Sequence, residues 1–192
     1  MEAINLFRAD LLSKSNVGSE QQRNDLLTEI RKAQLAGNPL DRSNDGCWRS
    51  ERRYGNSIGW LMSEIGELLN KFADMYSLEL SAHDLDKSKV SFFYWTNVNQ
   101  PHSRNVMHSH IESHFSAVYY LQATDTGNLR LTNPANILGN CNSTAPFVKD
   151  IVFTPKDGDL IMWPSWVPHE VETNFSARER INLVFDIIIR KK

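Results

Sequence analysis

The sequence predicts an α+β domain in which helices buttress a β-sandwich or barrel. Three observations carry that prediction. Apolar residues recur at helical spacing from about residue 19 to 80; β-branched and aromatic runs broken by Gly, Pro, Asn and Asp follow from about 88 to 190; and a histidine-rich stretch, HSHIESH from His108 to His114, sits between two of those runs. The 192 residues suit one domain over 1–192, and at 41% hydrophobic content they can bury a sizeable core.

The opening INLFRADLL fits either an amphipathic helix or a short strand, because Ile4, Leu6, Phe7, Leu11 and Leu12 satisfy neither period cleanly. Ser19-Glu20-Gln21-Gln22 is a capping-box pattern. Leu26, Leu27, Ile30 and Leu35 then recur on one face, and Gly37 with Pro39 ends this surface helix. From Leu40 to Asn56 the chain is polar and turn-rich, which predicts a loop pinned by Trp48 and Tyr54, with solvated or paired arginines. A second helix is expected from Ser57 as N-cap to about Leu80, with Ile58, Leu61, Met62, Ile65, Leu68, Leu69, Phe72 and Met75 forming a core stripe. VSFFYWTNV, TPKDGDLIMW and RINLVFDIIIR then read as strands.

Charge and composition narrow the function. The net charge of −2 comes from 21 basic and 23 acidic residues spread along the chain, so no positive field is present to collect nucleic acid or an acidic membrane surface. The N-terminal MEAINLFRADLLSK lacks a basic start followed by an apolar core, and no run approaches the ~18 apolar residues of a membrane helix, which points to a cytoplasmic protein. Cys47 and Cys141 fit neither a disulfide framework nor a CxxC metal site and are read as thiols. The glycosylation patterns at Asn142 and Asn174 are chance matches in that setting.

The chemistry-bearing residues are histidines. On a strand, His108 and His110 face the same side at about 7 Å between Cα atoms, so both imidazoles can reach one metal ion. His169, in PSWVPHEV with Pro164 and Pro168 holding the backbone, is the candidate third ligand. Glu112 offers an alternative, since His110-Ile111-Glu112 also has the spacing of a 2-His-1-carboxylate triad. Two ligand sets therefore compete: His108, His110 and His169, or His110, Glu112 and His169 with His108 behind them. His114 begins the return strand outside either set, and His102 is read as a loop residue.

Together these segments resemble the 2-oxoglutarate and Fe(II)-dependent oxygenases of the small bacterial and phage type, within the prolyl-hydroxylase-like superfamily. The resemblance rests on Trp95-Thr96-Asn97-Val98-Asn99, on His108-Ser109-His110-Ile111-Glu112-Ser113 matching H-x-H-P-G-S, and on Ser116-Ala117-Val118-Tyr119-Tyr120 matching S-G-V-Y-Y. GDLIMWPSWVPHEVETNFSARERINLVF and SNDGCWRS, from Ser43 to Ser50, extend it over most of the chain. The sequence departs at Ile111-Glu112, where Pro-Gly is usual, and at Ala117, where glycine is usual.

The resemblance implies a double-stranded β-helix of jelly-roll, cupin-like type, with Fe(II) and 2-oxoglutarate as cofactors and with O₂ and a further substrate as partners. It implies a hydroxylase that releases succinate and CO₂. It also gives Arg180 a role as a bidentate partner for the distal carboxylate of 2-oxoglutarate, with Arg178 as the alternative, and makes Tyr94, Asn97 and Tyr120 candidate cosubstrate contacts. Ser43 to Tyr54 and Asn133 to Thr144 are the candidate rim that selects substrate. Rival readings are a cupin-like three-histidine metalloenzyme that does not use 2-oxoglutarate and a non-catalytic binding or virion-associated module on the same fold.

Overall fold

A computed structural model describes residues 9–36, 44–51, 58–76, 90–134 and 150–190. Within them the order is β1 (Leu12–Lys14), α1 (Glu20–Ala36), β2 (Asn44–Arg49), α2 (Gly59–Tyr76), β3 (Val90–His108), β4 (Phe115–Gln122), β5 (Leu129–Leu131), β6 (Ile151–Phe153), β7 (Leu160–Pro164), β8 (His169–Val171) and β9 (Arg180–Ile189). Of the opening segment only its last part is described, and there Leu12 enters a strand; residues 1–8 lie outside the described set.

The strands hydrogen-bond in the order β1-β7-β4-β9-β3-β8-β5-β6, with β2 also on β3, and the ladders are antiparallel. β3 explains why this sheet curls. Its first half, Val90 to Asn99, pairs with β9, whereas Asn105 and His108 pair with β8. Between the halves Pro101 can donate nothing to a ladder, and His102 adopts φ +68° with its N–H donated to Asn174 O at 2.7 Å. His102 is thus part of β3 and not of a loop; the local break bends one long strand from one layer into the other. The result is the jelly-roll architecture that the family resemblance implied.

Alternation along the strands divides the core. Leu183, Phe185 and Ile187 of β9, with Ala117 and Tyr119 of β4, join Leu61, Ile65, Leu69 and Phe72 of α2 and Ile30 of α1 in one cluster. Val184 of β9, with Val118 and Tyr120 of β4, joins Trp163, Leu129 and Leu131 in a second cluster inside the curl. Because β9 is covered on both faces, RINLVFDIII reads as a nearly continuous apolar run. Each fully buried Leu, Ile or Phe contributes roughly 1.5–3 kcal/mol, so the stripe of α2 is a principal anchor of the helical layer.

Local signals account for the helices. The Ser19 Oγ accepts from the Gln22 N–H at 3.2 Å while Gln22 Oε1 accepts from the Ser19 N–H at 2.8 Å, completing the predicted capping box. Leu26 and Ile30 are buried, but Leu35 is 90% exposed, so the buried stripe of α1 stops a turn short of the expected one. Gly37, Pro39, Ser57 and the expected last turn of the second helix lie outside the described residues.

One predicted loop is a strand. Asn44–Arg49 pairs with β3 despite its Asn-Asp-Gly turn signal, because Gly46, at φ +71°, sits where the register shifts between Asp45 and Cys47. Glycine takes that left-handed conformation without a Cβ penalty and forms a bulge where a turn was read. Trp48 packs against the helical core cluster as expected, while Tyr54 is outside the described set. Cys47 is a free thiol, and Cys141 and Asn142 are not among the described residues. Asn174 is fully buried with its amide donating to Arg178 O at 2.6 Å. No helix among the described residues is long and apolar enough to cross a membrane.

Candidate functional site

The two-residue ladder between β3 and β8 brings the first donors together. His108 ends β3 and His169 opens β8, and the two are Cα partners. His110 lies past the end of β3, not on the strand as the alternation rule assumed. The turn that holds it is fixed by its own backbone: the His110 N–H donates to Ser165 O and the Ser113 N–H to His110 O, each at 3.0 Å. Ring centroids are separated by 4.3 Å for His108 and His169, 5.1 Å for His108 and His110, and 5.2 Å for His110 and His169. One nitrogen from each ring lies within 4.8 Å of the others.

Each imidazole is oriented through Nδ1. His108 Nδ1 meets Val106 O at 2.7 Å, His169 Nδ1 meets Val167 O at 3.0 Å, and His110 Nδ1 meets a carboxylate oxygen of Asp186. A carbonyl or carboxylate oxygen only accepts, so Nδ1 carries the proton and the Nε2 lone pair is left for a metal. Burial, reinforced by the nearby His108, pushes His169 down to about 3, and burial also lowers His108. Rings kept neutral in this way need not lose a proton before they ligate. A set of three nitrogen donors with a cavity beside it fits an ion such as iron, manganese or zinc.

The cavity beside the cluster has a volume of about 350 Å³. Trp163 meets His169 edge-on at 5.0 Å between centroids and Trp95 stacks on His110 at 5.7 Å, so two indoles wall the ligand set. The Trp163 indole N–H and Asn182 Oδ1 are buried without a hydrogen-bond partner among the described residues, although both residues line this space. Unsatisfied buried donors and acceptors are costly, and a polar ligand in the cavity would relieve both.

The other residues singled out in the sequence divide. Asn97 and Tyr120 line the cavity, whereas Tyr94 faces the opposite side of the sheet, stacked on Phe185 at 5.7 Å within the helical core cluster. Its position between Phe93 and Trp95 made that placement a matter of strand parity, which the ladder decides. Glu112 is exposed on the turn at the cavity lip and is not among the three clustered residues. His114 is away from the cluster and accepts from the Ile189 N–H at Nδ1, 3.2 Å.

Arg180 is fully buried and continues the row of β9 that includes the cavity-lining Asn182, Val184 and Asp186. Its Nη1 donates to Thr126 O at 2.7 Å, and its Nε and Nη2 have no hydrogen-bond partner among the described residues. Burial pushes the guanidinium below its ordinary value, partly offset by Tyr120. Arg178 instead reaches Asp157 at the surface, 3.5 Å away. Residues 135–149, including most of the second predicted rim segment, are outside the described set.

Two residues of the site escaped the sequence reading. Arg49, taken there as solvated or paired, is 5% exposed, lines the cavity and places its guanidinium carbon 4.2 Å from the Trp95 ring centroid. Asp186 was passed over within an apolar strand, although a lone carboxylate in LVFDIII is the kind of costly buried charge that marks a partner.

Residues 93–186 match the family described as "Putative 2OG-Fe(II) oxygenase". No curated protein sequence matches the chain. A solved Pseudomonas putida prolyl-4-hydroxylase is similar at TM-score 0.66 and 18% identity, covering 94% of this chain and 93% of its own. HygX from Streptomyces hygroscopicus, solved with nickel, 2-oxoglutarate and hygromycin B bound, is similar at TM-score 0.58 and 10% identity, over 93% and 82% of the two chains. SnoK, an alpha-ketoglutarate dependent carbocyclase from nogalamycin biosynthesis, is similar at 0.66 and 10%, over 93% and 79%. At these identities the likeness to solved structures is one of fold, and the sequence match carries the kinship. Over residues 93–186 the sequence thus matches a 2-oxoglutarate and Fe(II)-dependent oxygenase domain, and the three-histidine cluster fits an iron ion.

Proposed function

We propose that the protein is a hydroxylase in which His108, His110 and His169 hold Fe(II) and Arg180 anchors 2-oxoglutarate. The observation that carries this reading is a pairing of two features on one inner surface: three convergent imidazole nitrogens, and a fully buried guanidinium on β9 with two unpartnered nitrogens. An uncompensated buried cation is costly, and a carboxylate arriving from the cavity side would satisfy it through two parallel N–H bonds. When bound, Fe(II) with 2-oxoglutarate and O₂ supplies the oxidation that hydroxylates a C–H bond and releases succinate and CO₂.

The chain's own groups do the positioning. Thr126 O holds one arm of Arg180, leaving Nε and Nη2 for the distal carboxylate. Asn97, Asn182 and Tyr120 offer neutral polar contacts along the way. Burial raises the Tyr120 hydroxyl above its ordinary value, so it stays a neutral donor. Trp95 and Trp163 screen the ligand set from bulk water. The target is a side chain of a protein or a small molecule; relatives of this fold named for prolyl hydroxylation and for hygromycin B as ligand support both.

The test is succinate release that depends on added 2-oxoglutarate and Fe(II). Arg180→Ala is expected to raise the 2-oxoglutarate requirement at least on the order of 100-fold while Arg178→Ala leaves it unchanged. Metal-dependent turnover that ignores 2-oxoglutarate would support the cupin-like three-histidine reading, and iron binding without turnover would support a binding module.

A further inference from the structure

We propose that Asp186 acts as a positioning residue that delivers, through His110, the negative charge that three neutral imidazoles do not bring to a divalent metal ion. This inference rests on the metal-site reading above. The three clustered histidines are held in the same tautomer by unlike partners. His108 and His169 lean on the neutral backbone carbonyls of Val106 and Val167, whereas His110 alone leans on a carboxylate. The asymmetry is built into the fold. Asp186 is 2% exposed, stands in the inward row of β9, and is cross-strand partner to Phe93 of β3 and Ser116 of β4.

A carboxylate in such a place costs several kcal/mol unless it is paired, and Asp186 forms an ion pair with His110. Binding of a cation at His110 Nε2 withdraws electron density from the ring and makes the Nδ1 proton a stronger donor. A buried anion on that proton therefore stabilises the metal-bound state more than the empty one, and the gain appears as affinity. The third ligand and the carboxylate of a 2-His-1-carboxylate face are thus divided here between two residues: His110 supplies the donor atom and Asp186 the charge. His110 is also the histidine that lies off the strand, so the same contact fixes a ring that the β-ladder does not.

The experiment is a Co(II) titration of the full chain, followed by ligand-field absorption, in wild type, Asp186→Asn, Asp186→Ala, His110→Ala and the His110→Ala/Asp186→Asn double variant. Asn keeps an oxygen that accepts from Nδ1 and removes only the charge. Affinity is expected to fall about 10-fold in Asp186→Asn and up to about 100-fold in Asp186→Ala, with the band shape of Asp186→Asn unchanged. In the His110→Ala background Asp186→Asn is expected to have no further effect. Affinity within twofold of wild type in Asp186→Asn overturns the proposal. So does a changed band shape, which makes Asp186 itself a ligand, and so does an undiminished effect in the double variant. A measurement on unmutated protein guards against misfolding of the variants: ¹⁵N-labelled Zn(II) protein should show a His110 Nδ1 proton shifted strongly downfield of those of His108 and His169, and its absence overturns the proposal. If His108→Ala, His110→Ala and His169→Ala each bind Co(II) as wild type does, the metal-site reading itself fails, a result distinct from failure at Asp186 alone.

Discussion

His169 stands directly across the β3–β8 ladder from His108, and their rings are 4.3 Å apart although the residues are remote in sequence. Cross-strand partners hold their Cβ atoms within about 4.5–5.5 Å, so backbone pairing itself sets the spacing of two donors. The third donor, His110, depends on a turn and on Asp186. The cluster is thus a ladder-set pair completed by a member held by a turn and a carboxylate.

That geometry leads to different expectations for the two ligand sets considered for this site. His108→Ala is expected to lower Fe(II) or Co(II) affinity at least on the order of 100-fold, while Glu112→Gln leaves it within about twofold. Equilibrium dialysis with both variants checks this, and comparable losses in the two would put Glu112 among the ligands.

Ile65 of α2 is fully buried in the cluster that joins the helices to the sheet. Ile65→Ala should cost about 2–5 kcal/mol in urea denaturation, from lost transfer energy and the cavity left behind. A loss under about 1 kcal/mol would mean that α2 is not the anchor described.

Gly18, at φ +80°, is packed so that an added Cβ would meet Trp60 Cζ3 at 2.7 Å. Gly18→Ala is expected to lose about 1–3 kcal/mol from backbone strain and displacement of the indole, with a visible change in tryptophan fluorescence. Gly59→Ala, at a helical position where no described residue comes within 4 Å of the new atom, is expected to be neutral or slightly stabilising. Thermal melts of the two variants provide the comparison.

Burial alone would raise the Asp157 carboxyl, but the Ala123 and Thr124 N–H groups, the Thr124 hydroxyl and Arg178 outweigh it and hold its pKa below 3.8. The unfolded chain therefore takes up this proton first as the pH falls. Stability from this carboxylate is fully present above pH 3.8 and is lost as the pH drops through the lower folded value. Asp157→Asn should be less stable than wild type by about 1 kcal/mol at neutral pH, with the gap closing in the acid range. Denaturation at a series of pH values tests the sign; a gap that widens in acid contradicts it.

Much of this protein was legible in its residues. Helical period marked the helical layer and β-branched, aromatic runs broken by turn residues marked the strands, and the Ser19–Gln22 capping pattern marked the start of α1. Three histidines could be nominated by type and spacing, since few side chains bind a metal ion, whereas Arg180 was nominated only through the family resemblance. What the linear order left undecided were relations between distant segments. Tyr94 and Asn97 both belong to β3, yet only pairing with β9 and the helices behind it decided that Asn97 lines the cavity and Tyr94 fills core. The Asn-Asp-Gly stretch of β2 carries a turn signal that the ladder to β3 overrode with a bulge, and this carried Arg49 to the cavity wall. Asp186 had no meaning until the curl of the sheet set it against His110. Local propensity and periodicity act over a few residues and are written in the sequence, whereas the cost of burying a charge and the partner that offsets it arise only once the chain has closed on itself.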